Sequence, residues 1–507
     1  MRKHFTSVQD TNSRVGILWV ALAVGVLYAI LPLESAFQFG GDEGYQLITA
    51  SLTCRGFALY KSIWYDQPPV FVLLLESAFR LCGPSILAAR LIASAFGMLM
   101  FAAFYEVARL RLGQIEAFLA TFFLLASPGI FQLSVCVIQE VPTFALALLS
   151  LLLLLKWRGR QRWWCLSGSA ITMGLGLGIK LTAALVLPAV VVEILLVSRA
   201  DKNHAWLRKF IILSLQWFGV MGITLFVIML LWGRGSFRAT YGAHFGEQAG
   251  LALERPEDFP FQIGMFFGHA ECVIAATAGI VLGVKRGQVR QLAIPGVWLA
   301  TALAVHLVHR PWWTYYYLHL AIPMAWFAGY AVSEIVKPFF EMFAKRSLDL
   351  STRRSRKAMG LCTLAALALV ISERRLEASI ADLRARERIS ADPILAKVRE
   401  YAVRTHWIYV RYTREAYAFH AGLLMPPELA VVSLKRFWSG QITTQEIVDI
   451  CRRYKPEQVL LNPKDVTTEW QDFLRDYSVV YQDMDNLLFV RSSLVQPRIT
   501  QPAQPDH

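Results

Sequence analysis

Charge is scarce in this chain: Asp, Glu, Lys and Arg make up 17% of its 507 residues, against 55% hydrophobic residues. A soluble domain could not hide that much apolar side chain, and many apolar runs approach the ~20 residues needed to cross a bilayer. Cysteines are few and unpaired in pattern: the seven, at 54, 82, 136, 165, 272, 362 and 451, form no CxxC or other metal spacing. That argues against a disulfide framework or a zinc site. No Gly-rich phosphate loop occurs in the polar tail, which excludes the usual nucleotide cradle there. No internal repeat stands out. The opening "MRKHFTSVQDTNSR" lacks a small-residue cleavage motif, so the apolar run behind it is expected to stay as a first helix. The net charge of +14 would fit nucleic acid, but the basic residues gather at the ends of apolar runs, where they set topology.

What the chain has in abundance is membrane-length apolar sequence. Runs lie near 15–33, 68–83, 86–108, 114–135, 141–156, 163–179, 181–198, 208–232, 263–284, 292–309, 313–336 and 358–373. If every run crossed from a cytoplasmic amino end, Arg109, Arg111, Lys156, Arg158, Arg199, Lys285 and Arg286 would all lie outside, against the positive-inside rule. The segment 68–83, "PPVFVLLLESAFRLCG", is short, opens on Pro-Pro and carries Glu76 and Arg80 one helical turn apart. Reading it as a juxtamembrane or re-entrant helix moves every one of those basic loops to the cytoplasmic side. About 11 spans remain. The expected fold is therefore an α-helical polytopic membrane protein with a small C-terminal α/β domain. Its parts would be a transmembrane unit at 1–373 with a first outer loop at 34–85, an outer domain at 374–495, and a disordered tail at 496–507.

The outer domain is read from alternating short strands and helices. "HWIYVRY", "AVVSLKRF", "EQVLLNP", "YSVVYQD" and "NLLFVRS" have strand character, while "TREAYAFHAGL", "TTQEIVDICRRY" and "TEWQDFLRDY" have helix character.

With this topology the polar residues on the outer side form a short set. The stretch "FQFGGDEGYQLITA" carries Asp42, Glu43 and Tyr45, and the same loop carries Lys61, Asp66 and Gln67. Glu140 lies in "CVIQEVPTF" and Lys180 in "GLGIKLTAAL"; His244 lies in the loop 233–262. "HLVHRPWWTYYYLHL" holds Arg310, Tyr315, Tyr316 and His319. Each has a bland reading. Asp42 and Glu43 suit the cap and first turn of a surface helix, Glu140 and Lys180 suit tight turns reaching water, and Trp312 and Trp313 suit an interfacial aromatic belt. Their convergence on one face is less bland, since ionisable groups at the membrane boundary are costly unless they line a cavity.

These residues resemble a family. The order of Asp42-Glu43, Gly44, Tyr45, Pro68-Pro69 and the stretch Cys82 to Leu91 is similar to the opening of the GT-C type glycosyltransferases, in particular the protein O-mannosyltransferase and aminoarabinose transferase group. The likeness continues at Glu140, at "GLGIKLTAALVLP" with Lys180 where the family has a lysine, and at "TYYYLHLAIPMAWFAG", covering about residues 15–335. The resemblance implies transfer of a sugar from a polyprenyl-phosphate donor to an acceptor hydroxyl on a lipid, glycan or protein, at the outer face of a bacterial inner membrane, by single displacement with inversion. It departs at Gln67, where relatives commonly carry a lysine before Pro-Pro.

The residue types suit that chemistry. The acceptor needs a general base, for which Asp42 is expected, oriented by Glu43 or Glu140. The leaving phosphate needs fixed positive charge rather than a second carboxylic acid, as a glycosidase would have. Lys180 and Arg310, with Lys61 and Gln67, are expected at the donor phosphate, and Tyr45, His244, Tyr315, Tyr316 and His319 at the substrate. No cofactor is expected, and no metal ligands are assigned, with assistance by a divalent metal left open. Two rival readings are a transporter or flippase of polyprenyl-linked glycan, and a polysaccharide polymerase or ligase. A transporter would more often place its charges at mid-membrane depth in broken helices of two matching halves.

Overall fold

The structure is a computed structural model that describes residues 2–160, 162–199, 205–232, 262–309, 311–344 and 352–495. Five of the described helices are long and apolar enough to cross a membrane: 86–111, 140–159, 181–198, 206–231 and 355–385. Val15–Ala29, Gln114–Leu125 and Ala293–Val308 are shorter apolar helices.

The elements in chain order are α1 (Arg2–Ala29), α2 (Glu43–Cys54), α3 (Val70–Cys82), α4 (Ile86–Arg111), α5 (Gln114–Leu125), α6 (Glu140–Arg160), α7 (Trp163–Leu177), α8 (Leu187–Ser198, entered through a 3-10 turn at Leu181–Val186), α9 (Trp206–Trp232), α10 (Ala270–Lys285), α11 (Ala293–Val308), α12 (Tyr317–Ala344) and α13 (Arg353–Ala385). With α2 and α3 set aside, eleven helices of 12 residues or more remain among the described residues. Their starts follow local chemistry. The Ser85 side chain accepts from Ala88 N–H to cap α4, and Thr352 accepts from Ser355 N–H to cap α13.

Ion pairs tie the helices together at both ends of the bundle. At one end Arg111 and Arg158, the last turns of α4 and α6, both pair with Glu193 of α8. Nearby in kind, Lys337 of α12 bonds Glu116 at the start of α5 at 2.7 Å. At the other end, Arg90 in the first turns of α4 pairs with Glu43, and Lys180 pairs with Glu140. Between them the bundle is apolar and tightly packed. At Gly329 of α12, a Cβ would sit 2.4 Å from the backbone N of Ala120, so only glycine lets α5 cross so close.

The helices α2 and α3 do not join that core. Val70 N–H donates to the carbonyl of Gly178 (3.0 Å), and the Phe79 ring stacks on Phe419 (5.8 Å). Both ends of α3 thus stay at the Arg90 end of the bundle, as the juxtamembrane reading requires. Leu47, Ile48, Phe71 and Leu75 instead share a second core with Leu395, Val410, Tyr417 and Leu460 of the C-terminal region.

That region follows α13, which continues unbroken through residue 373 to Ala385. It holds α14 (Pro393–Ala402), β1 (Ile408–Val410), α15 (Glu415–His420), α16 (Thr444–Tyr454), β2 (Gln458–Leu461), β3 (Tyr477–Gln482) and β4 (Leu487–Arg491). The sheet order is β1-β2-β4-β3, with β1 and β2 parallel and the other neighbours antiparallel. The Thr443 and Glu446 capping box starts α16. One expected strand is absent. In "AVVSLKRF", Arg436 donates to the carbonyls of Glu428 and Val431 (2.8 Å each), and Leu434–Trp438 closes into a short helix. The arginine satisfies carbonyls that a strand would have paired with a neighbour. The tail at 496–507 lies outside the described residues.

Candidate functional site

The loop that carries Asp42 is held in shape by Arg90. Its guanidinium grips the Glu43 carboxylate in a two-point bond (2.9 and 2.8 Å), donates to the carbonyls of Leu33 and Ala36 (2.8 Å each), and lies over the Phe39 ring (4.2 Å). Both side chains are fully buried. Glu43 also accepts from the backbone N–H of Phe39 (2.9 Å) and Val137 (3.3 Å). Its carboxylate is therefore committed to the loop and to the turn before α6. Asp42, one residue earlier, is partly exposed and makes no capping bond to α2. It is left to face the site.

Across from it stands the Glu140–Lys180 pair. Glu140 begins α6 and Lys180 precedes the 3-10 turn into α8. Both are buried, and the ammonium lies over the rings of Tyr315 (4.7 Å) and Tyr316 (5.6 Å). A chain of bonds fixes this arrangement: Gln139 Nε2 donates to Tyr65 Oη (2.8 Å) and to the carbonyl of Ile179 (3.3 Å), and Tyr65 Oη donates to Gln46 (3.0 Å). One hydrogen-bonded network thus ties α2, the loop before α3, the start of α6 and the turn at Lys180.

The electrostatics of Asp42 follow from this crowding. Although the residue is partly exposed, the protein crowded around its carboxyl desolvates it and pushes its pKa up from 3.8 to about 7, with the charges of Glu140 and Asp66 raising it further and Lys180 pulling it down. A carboxylate poised there can exchange a proton near neutrality.

The expected residues fall into three groups. Asp42, Tyr45, Glu140, Lys180, Tyr315 and Tyr316 come together, as their mutual electrostatic influence records. His319 does not open on the site: it is fully buried, accepts or donates at 2.9 Å to His306 Nε2, and packs on Phe144 (4.6 Å). Its ring supports that of Tyr316 (5.2 Å). Trp312 is likewise no interfacial residue, since it is buried against His306 (4.9 Å) and Tyr316 (5.9 Å). Gln67 is buried and its carbonyl accepts from Tyr60 Oη (2.6 Å). Lys61 stands exposed in the turn before it, with no described contact to the Glu140–Lys180 pair. His244 and Arg310 lie outside the described residues. No group of three or more His, Cys, Asp or Glu side chains able to hold a metal occurs among the described residues.

Several residues near the site come from the C-terminal region, which the sequence reading left without a role. Lys435 Nζ lies 3.9 Å from Asp66, and Trp438 stacks on Trp313 (6.4 Å). Tyr412 and Glu415 follow β1 and lie within electrostatic reach of Asp42. A loop after the carboxyl end of a parallel strand is a common ligand position, and that was the available signal. Arg90 had a signal too: a lone arginine inside an apolar run calls for a buried carboxylate.

Comparison with known proteins gives the fold. The chain is similar to ArnT from Cupriavidus metallidurans bound to undecaprenyl phosphate, with a TM-score of 0.62 and 15% identity over 96% of this chain and 100% of that one. The chain has the GT-C fold. A second GT-C structure, the oligosaccharyltransferase AglB from Archaeoglobus fulgidus in complex with an inhibitory peptide and a dolichol-phosphate, matches with a TM-score of 0.55 and 12% identity, over 97% of this chain and 76% of that one. The family model described as dolichyl-phosphate-mannose-protein mannosyltransferase matches residues 66–232. That match begins after Asp42 and Glu43 and includes Glu140 and Lys180. A search of curated proteins finds no match. The GT-C resemblance read from the sequence is thereby borne out.

Proposed function

We propose that this protein is a membrane glycosyltransferase that moves a sugar from a polyprenyl-phosphate donor to an acceptor hydroxyl. The observation that carries the reading is Asp42 facing the buried Glu140–Lys180 pair, whose ammonium lies over the Tyr315 and Tyr316 rings, at the membrane boundary of a GT-C fold. The undecaprenyl phosphate of ArnT and the dolichol-phosphate of AglB support a lipid-phosphate donor.

In this mechanism Asp42 takes the proton of the acceptor hydroxyl. The acceptor oxygen bonds to the anomeric carbon as the carbon–oxygen bond to phosphate breaks, and its electron pair leaves on the polyprenyl phosphate. Single displacement inverts the anomeric centre. Lys180 meets the departing charge, with Glu140 and the tyrosine rings fixing its ammonium. Lys435 is a second cation for that role, supplied from the C-terminal region and standing beside Asp66, next to the uncharged Gln67. Glu43 and Arg90 act by positioning, since they hold the loop on which Asp42 is mounted.

The basic residues gather at the Glu193 and Glu116 end of the bundle, and the positive-inside rule puts that end in the cytoplasm. The site then opens on the outer face of the inner membrane, with residues 386–495 outside. The deciding experiment is turnover by purified protein in detergent, with a panel of undecaprenyl-phosphate-linked hexoses and pentoses and extracted envelope glycolipids as acceptors. Release of undecaprenyl phosphate with a new glycosidic product is the expected result. Donor that is bound or moved across vesicles but never consumed would favour the flippase reading.

A further inference from the structure

The C-terminal region is seated on the catalytic loop, and one of its side chains is left without a full set of partners there. Phe37 N–H donates to the carbonyl of Glu387 (2.7 Å), and His420 Nε2 bonds the carbonyl of Phe37 (2.8 Å). The turn from β1 into α15 lies directly on the Asp42 turn: a Cβ on Gly44 would come within 2.6 Å of the backbone N of Ala416. Thr413 in this turn adopts φ 67, a left-handed conformation that a β-branched residue adopts at a cost. The strained turn delivers Glu415 to the interface. Glu415 is 1% exposed, and its Oε2 has no hydrogen-bond partner among the described residues. A buried carboxyl oxygen left unsatisfied is costly, which makes a missing ligand the natural partner.

We propose that Glu415 is a substrate-binding residue contributed by the C-terminal region, whose unpartnered oxygen beside Asp42 takes a hydrogen bond from a carbohydrate hydroxyl. The hydroxyl belongs either to the transferred sugar or to the acceptor. The charged group acting on it from the α2 side is Asp42, and Tyr409 of β1 and Tyr412 of its own turn lie within its reach; Asp42 in turn feels Glu140, Asp66 and Lys180. Burial raises the Glu415 pKa to about 8, with Asp42 adding to the rise and backbone N–H groups of Thr413 and Glu415 opposing it. At neutral pH the side chain is therefore largely a carboxylic acid, able both to donate to a hydroxyl and to accept from one. This inference rests on the transferase reading above.

The test compares binding of undecaprenyl phosphate and of undecaprenyl-phosphate-linked mannose and glucose, together with acceptor KM, in the full-length wild type, Glu415→Ala and Glu415→Gln. If Glu415 reads the transferred sugar, Glu415→Ala weakens the sugar-bearing lipids by about tenfold while undecaprenyl phosphate stays within about twofold. If it reads the acceptor, donor affinity holds and the acceptor KM rises by a similar factor. Glu415→Gln, which keeps one donor and one acceptor, recovers most of either loss. Equal loss on every probe means the residue only supports the fold, and unchanged donor affinity and acceptor KM mean it touches no substrate; either overturns the proposal and leaves the transferase reading intact. A wild type that binds none of the three lipids overturns both.

Discussion

Asp42 and Glu43 are neighbours in sequence with opposite fates. Glu43 is enclosed by Arg90 and two backbone N–H groups, whereas Asp42 keeps its carboxylate for the site. Asp42→Asn should lower turnover by roughly 10²–10⁴-fold, the usual contribution of a general base, with undecaprenyl-phosphate binding nearly unchanged. Full activity in a purified Asp42→Asn protein would remove the base assignment. With its pKa near 7, the base is charged only above neutrality, so turnover should climb as pH rises through about 7. The stability consequence has the opposite sign. Between the ordinary value of 3.8 and about 7, the folded protein retains a proton that the unfolded chain has released, so Asp42 makes the fold less stable as pH rises across that window. Thermal melts of wild type and Asp42→Asn against pH should therefore diverge there. Lys180 calls for a paired design, because Lys180→Ala strands Glu140 in a buried site. The double variant Lys180→Ala/Glu140→Gln should melt higher than Lys180→Ala alone, while both lose affinity for undecaprenyl phosphate. Restored lipid binding in the double variant would argue that the lysine serves only its glutamate.

At the scale of elements, the anchoring of α2 to α4 through Arg90 decides whether the loop that carries Asp42 has one shape. Breaking a buried ion pair from one side typically costs about 3–5 kcal/mol. Arg90→Gln should therefore lower the melting temperature in detergent and depress turnover together, and a variant that melts like wild type would show the loop is held by other contacts. The helix α3 was legible in the sequence because charge arithmetic rejected it as a span, and its contacts at Gly178 and Phe419 agree. "AVVSLKRF" was not legible. Its Val-Val pair has strand character, but strand formation needs a neighbour, and the carbonyls of Glu428 and Val431 are taken by Arg436. His319 misled for a related reason. Its sequence neighbours line the site, yet helical geometry turns it inward onto His306 and Phe144.

For the molecule as a whole, polarity between the two ends of the bundle is the feature most plainly written in the chain. Lys and Arg at the ends of apolar runs encoded it, and the ion pairs at Glu193 and Glu116 lie at the opposite end from Asp42 and Lys180. Cysteines introduced at the exposed positions Lys61 and Lys285 should react with an impermeant thiol reagent from opposite faces of intact membranes. Labelling of both from one face would break the topology. The partnership between the C-terminal region and the catalytic loop could not be read from sequence. Residues 42 and 415 are far apart along the chain, and no periodicity or motif encodes a contact at that separation.

The seam between residues 35–37 and 387–389 has a consequence for biosynthesis. A ribosome delivers Asp42 and its loop to the membrane hundreds of residues before Glu415 and Lys435 exist. On the proposed mechanism a nascent chain carries Asp42 without the C-terminal residues that pack beside it, and transfer would begin only once the last helix has been threaded and the polar tail has folded back. Completion of the chain would thus set when the proposed chemistry can start.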